Sequence, residues 1–176
     1  MKTLLLMRHA KSAWGDSRLA DHDRPLNARG ENAAKAMAER LARAPHRPGL
    51  ILCSTAARAR QTLAPLVDLL ATPAPPIVLE KGLYLASKDA LLSRLRDLDD
   101  QVAAVLLIGH NDGIWHLAQA LAGHGQPARL AALHQKFPTG ALAVLQFETG
   151  HWADLAAGRA TLVEFVRPRE LVRADG

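Results

Sequence analysis

Arg8 and His9 close a short apolar run, Leu4-Leu5-Leu6-Met7. Such a run, bounded by polar residues, reads as a buried strand. Open α/β sheets bind ligands beyond the carboxyl ends of their strands. The pattern therefore sets a guanidinium and an imidazole at a strand mouth. A guanidinium presents a planar fork of donors to phosphate. An imidazole nitrogen can attack phosphorus and carry the phosphoryl group covalently. The pair points to phosphoryl transfer through a phosphohistidine.

Two further segments repeat this layout. A second apolar run ends at Cys53, and Arg58 falls in the first turn of the helix expected after Ser54-Thr55. Ser54 or Thr55 is placed to cap that helix, whose start favours anions. Arg60, two residues on, faces elsewhere. A third run, Val105-Leu106-Leu107-Ile108, ends in Gly109-His110-Asn111-Asp112. Gly109 permits a close backbone approach, and Asp112 is a candidate cap. Taken singly, Arg58 reads as a solvated helix residue and His110 as a hydrogen-bonded structural one. Two arginines and two histidines at strand mouths of one small sheet shift the weight to a phosphate pocket.

The elements that must hold these residues alternate along the chain. Strands are expected over 3–7, 49–53, 77–79, 103–108 and 141–147, with sheet-edge strands at Trp152 and over 161–166. Helices are expected over 28–44 and 56–71, from Ser87 onward, and over 112–122, with Pro65 kinking or dividing the second. Residues 15–27 read as a loop and 123–126 as a turn. Strand–helix alternation predicts a single α/β domain over 1–176, a three-layer α/β/α sandwich with a mostly parallel sheet.

Composition bounds the setting. The chain has 176 residues, 49% hydrophobic and 22% charged, which suits a globular domain. Its one cysteine, Cys53, allows no internal disulfide and predicts a reducing, cytoplasmic location. Arg8, His9 and Lys11 interrupt the first apolar run too early for a signal peptide, and no stretch is long enough to cross a membrane. The net charge of +5 is spread without a basic block, and aromatics are only 4%, so neither nucleic acid nor membrane is an expected partner. Eight histidines raise the question of a metal, but no His-Glu-x-x-His pattern is present.

Met7-Arg8-His9-Ala10-Lys11-Ser12, Asp23-Arg24-Pro25-Leu26, Arg29-Gly30, Ser54 through Thr62, Leu83-Tyr84, Gly109-His110-Asn111, Phe137-Pro138-Thr139-Gly140 and Trp152 occur in order over nearly the whole chain. In these motifs the chain resembles the histidine phosphatase superfamily, which includes phosphoglycerate mutases, and most closely its small SixA-type branch of phosphohistidine phosphatases. The resemblance implies a phosphoglycerate-mutase-like fold and catalysis by His9 and His110. His9 would be the nucleophile, with Arg8, Arg58 and His110 completing the phosphate pocket, and with no metal and no cofactor. It implies a metal-independent phosphatase acting on phosphohistidine in a partner protein or on a small phosphate compound. The alternatives are a small-molecule phosphomonoesterase of the same superfamily and a non-catalytic phosphate-binding module.

The sequence departs from the wider superfamily at Ala10, where glycine is usual, and at Asp112-Gly113, where Pro-Gly is more common. An acidic side chain at 112 would repel phosphate unless it caps the helix and faces away. Mutase-type relatives use a carboxylic acid to protonate the leaving group. Glu80 is the possible counterpart, with Asp21 and Asp23 as others, although a solvated or salt-bridged carboxylate is the favoured reading of each. Asp23-Arg24 is expected to bond locally within the first loop, stiffened by Pro25.

Overall fold

The computed structural model describes residues 1–172. The strand carrying Arg8, β1 (Lys2–Arg8), occupies the middle of a seven-stranded sheet. β2 (Leu50–Ser54), β3 (Ile77–Glu80) and β4 (Ala104–Gly109) lie on one side of it, and β5 (Ala122–Gly125), β6 (Leu142–Phe147) and β7 (Ala160–Val166) on the other. The spatial order is β3-β2-β4-β1-β6-β7-β5. β1 pairs parallel with β4, β2 with both β4 and β3, and β5 with β7, while β6 runs antiparallel to β1 and β7. The carboxyl ends of β1, β2 and β4 therefore meet at one edge of the sheet, carrying His9, Ser54 and His110.

Strand alternation divides the core into two layers. Leu4 and Leu6 face the side packed by α3 (Lys88–Arg96), α4 (Gly113–Leu121) and α5 (Pro127–Gln135). Leu5 and Met7 face α1 (Ala28–Arg43), α2 (Ala57–Val67) and α6 (Pro168–Val172). The result is the three-layer α/β/α sandwich. Asn27 caps α1 by accepting from the Gly30 amide at 2.8 Å, and Ser87 caps α3 from the Ala90 amide at 3.2 Å.

Several local expectations need correction. α2 keeps Pro65 inside its last turn, where it forgoes the backbone bond to the Gln61 carbonyl, and stops at Val67, short of 71. Residues 123–126 are no simple turn. Gly123 lies so close to the Gly158 backbone that a Cβ would sit 1.9 Å from that carbonyl, and β5 uses this approach to pair with β7. β7 is thus an inner strand rather than an edge. Trp152 belongs to a 3-10 turn, fully buried, with its indole donating to the Val102 carbonyl at 2.8 Å. α5, which buries only Leu133, has too weak an apolar face to be read from sequence.

Candidate active site

A network of backbone bonds fixes the β1 mouth. The His9 amide donates to the Gly109 carbonyl at 3.0 Å, and the Gly140 amide donates to the Arg8 and His9 carbonyls at 3.1 and 2.9 Å. Gly140 can make this turn because its φ is +75°. The Ala10 amide donates to the Thr62 hydroxyl at 2.9 Å, and that hydroxyl donates to the Arg58 carbonyl at 2.7 Å. Thr62 therefore ties the segment behind His9 to the helix that carries Arg58. From the other side, Gly30 of α1 packs on Lys11 so tightly that a Cβ would lie 2.0 Å from the Lys11 oxygen.

The four pocket residues of the sequence analysis converge. Arg8, His9, Arg58 and His110 all line one cleft of about 540 Å³. The two imidazole rings lie 5.1 Å apart between centroids. His9 Nδ1 sits 2.7 Å from the Ala10 carbonyl, an oxygen that can only accept. Nδ1 therefore carries the proton, and Nε2 keeps its lone pair. His110 Nε2 lies 2.8 Å from the Ser54 hydroxyl. Arg8 donates through Nη1 to the Phe137 carbonyl at 3.0 Å, which also accepts from Asn111 at 3.1 Å.

Burial sets the charge state of the histidines. His9 is 7% exposed and His110 2%. Desolvation, reinforced by the cationic Arg58 and Arg8, lowers His9 to about 4. Desolvation, then the neighbouring His9 and Arg58, lowers His110 to about 3. Both rings are neutral at pH 7. Among the described residues, the buried side-chain nitrogen and oxygen atoms without a hydrogen-bond partner are Arg8 Nε, Arg58 Nε, His110 Nδ1 and Asn111 Oδ1. All four belong to residues lining the cleft. Unpaired buried polar atoms are costly, and the three that can donate match an anionic ligand.

Asp21 is the carboxylate that lines this cleft. Arg58 Nη1 donates to its backbone oxygen at 2.6 Å and Nη2 to Oδ2 at 3.0 Å, while Arg24 Nε donates to Oδ1 at 3.0 Å. The Tyr84 hydroxyl donates to Oδ2 as well. Tyr84, then Arg58 and Arg24, hold this carboxyl well below the usual carboxylate range. Sequence reasoning weighed Asp21 as a salt-bridged carboxylate but did not find its partner. Tyr84, quoted in the resemblance without a role, also lies edge-on to His110, with centroids 5.3 Å apart.

Glu80 is salt-bridged, the reading favoured for it above, while the capping and Asp23–Arg24 expectations are corrected. Glu80 is held two-pronged by Arg94, with Nη2–Oε1 at 2.6 Å and Nε within 3.0 Å of both oxygens, and it does not line the cleft. Neither Ser54 nor Thr55 caps α2. Ser54 instead bonds the Ala56 amide and His110, and Thr55 bonds His22 at 2.9 Å. Asp112 makes no cap bond and stays exposed. Arg24 bonds Asp21, Ser12 and the Ala13 carbonyl rather than Asp23, and stacks 3.6 Å beneath the exposed Trp14. Burial pushes the Cys53 thiol up to about 12, so it is a packed residue and not a reactive one. Among the described residues, no group of three His, Cys, Asp or Glu side chains could hold a metal ion, and no helix is long and apolar enough to cross a membrane.

The strand-mouth arginines and histidines, on this sheet order, gather in one cleft at the carboxyl ends of the parallel strands. Residues 4–84 match the family described as the histidine phosphatase superfamily (branch 1), and the chain belongs to that superfamily. It is 42% identical over 166 residues to the uncharacterized protein MT1313 of Mycobacterium tuberculosis, covering 93% of this chain and 100% of that one. Two solved structures, both provisionally assigned as phosphohistidine phosphatase SixA, share the fold. The protein from Agrobacterium tumefaciens is 34% identical with a TM-score of 0.79, covering 95% of this chain and 98% of that one. That from Nakamurella multipartitia is 31% identical with a TM-score of 0.81, covering 95% and 96%.

Proposed function

We propose that this chain is a metal-independent phosphohistidine phosphatase. His9 Nε2 attacks phosphorus while the bond from phosphorus to the substrate's imidazole nitrogen breaks. The leaving imidazole departs neutral, having carried a proton on its other ring nitrogen. Water then attacks the phosphorus of phospho-His9, releasing phosphate and restoring the free lone pair. Arg8 and Arg58 hold the phosphoryl oxygens with fixed donors, and His110 adds a neutral N–H, so negative charge is stabilised throughout by groups already in place.

The observation that carries this reading is the state of the carboxylates. Asp21 is kept ionised by Arg58, Arg24 and Tyr84, and Glu80 is committed to Arg94. Neither is free to protonate an alkoxide. An imidazole leaving group needs no such acid, whereas a phosphate ester of an alcohol does. The substrate class supported best is therefore a phosphoramidate, phosphohistidine borne by a partner protein.

The test pairs a histidine-phosphorylated protein with an unactivated alkyl phosphate, both in chelator. Release of phosphate from the first with poor hydrolysis of the second is the expected result. Rapid hydrolysis of unactivated alkyl phosphates would establish a phosphomonoesterase. Phosphate binding without turnover of either class would establish a binding module.

A further inference from the structure

Beside the catalytic cleft lies a second cavity of about 520 Å³ that shares Lys11, Lys136, Pro138 and Thr139 with it. Its remaining wall comes from the first turn of α1, the end of α5 and the start of α6. Five cationic side chains line it, Lys11, Arg29, Lys136, Arg167 and Arg169, and no carboxylate does. Arg167 is paired with Glu170, at 2.5 Å between Nη2 and Oε1. Lys11, Arg29 and Lys136 make no ion pair among the described residues.

Like charges gathered in one concavity repel one another and create a positive potential that draws in anions. Here that potential adjoins the phosphoryl site, with Lys11 and Lys136 on the shared wall. Lys11, Arg29 and Lys136 are exposed and spread around a volume far larger than one phosphate. Nothing in it resembles the converging buried donors of the catalytic cleft. Spread, solvated cations suit several carboxylates on a moving surface better than one fixed phosphate.

We infer that this cavity receives an acidic flank of the substrate protein, Asp or Glu side chains neighbouring the phosphohistidine. The inference rests on the phosphohistidine reading above. It assigns the cavity to substrate selection, acting through KM and association, and not to the chemical step.

The experiment uses free phosphoimidazole and two synthetic peptides phosphorylated on a single histidine, one flanked by Asp and Glu, the other by Ser and Gln. The wild-type chain is compared with Arg29→Ser/Arg169→Ser, two positions that line the second cavity and not the catalytic cleft. Wild type is expected to show kcat/KM about 3- to 10-fold higher for the acidic peptide, a preference carried by KM and weakened by salt. The double variant loses the preference and keeps its rate on phosphoimidazole. Equal kcat/KM for both peptides in wild type, or a preference that survives the double substitution, overturns the inference while phosphoimidazole turnover leaves the reading standing. Competitive inhibition by inorganic pyrophosphate, relieved in the double variant with no acidic-peptide preference, reassigns the cavity to small phosphates and also overturns it. Absence of phosphoimidazole turnover in wild type removes the reading first, and the inference with it.

Discussion

Lowering the pH from 7 to 5 should destabilise this protein through His9 and His110, the two histidines of the cleft. An unfolded histidine titrates near pH 6.5, whereas burial lowers His9 to about 4 and His110 to about 3. Both folded-state values lie below the unfolded one. The unfolded chain therefore binds more protons between these limits, and stability falls as pH falls. Each histidine contributes about 2 kcal/mol to the loss between pH 7 and 5, so the pair contributes about 4 kcal/mol. Other groups add to the pH dependence, so the assay is a subtraction. Urea unfolding of wild type and His9→Gln/His110→Gln is measured at both pH values, and the double variant should lose about 4 kcal/mol less than wild type. Identical losses would show that the two rings are not held neutral by burial, and the account of a preformed neutral nucleophile would fall.

Three further outcomes are expected. Arg58→Ala removes a buried fixed cation from the phosphoryl site, and kcat/KM in steady-state assays should fall about 10²- to 10³-fold. Glu80→Gln breaks a partly exposed pair with Arg94 and should cost about 0.5 kcal/mol in denaturant unfolding. Its turnover should stay within about twofold of wild type, and a large fall in kcat would make Glu80 the acid. Gly30→Ala drives a Cβ to 2.0 Å from the Lys11 oxygen. It should destabilise by roughly 2 kcal/mol, read as a fall in Tm, and slow turnover by displacing the segment after His9.

Arg8, His9 and His110 were legible because they sit at discontinuities: Leu4 to Met7 and Val105 to Ile108 are apolar without interruption, and a charged or titratable residue follows each within two positions. Sheet position follows from such runs, and strand-mouth location follows from sheet position. Four residues of the motif from Ser54 to Thr62 make contacts that position the cleft. Ser54 holds His110, Arg58 faces the cleft, Gln61 accepts from the Leu26 amide at 2.8 Å, and Thr62 holds the Ala10 amide. The Asp21–Tyr84–Arg58 contact was not legible, since it joins residues far apart in sequence through side-chain geometry. β5 was missed because its glycines serve pairing with a distant strand. α5 was missed because helices stabilised by few buried residues leave little periodic trace.

In the proposed mechanism the phosphoryl group passes through His9. Purified protein should be mixed with ³²P-labelled phosphohistidine substrate and quenched in alkali, in parallel with His9→Ala shown to be folded by circular dichroism. Label is expected on the wild-type chain, surviving alkali and released by acid, as a phosphoramidate requires, and none on the variant, which should also lack turnover. Wild-type turnover by His9→Ala, or the same alkali-stable label on that variant, would contradict this mechanism.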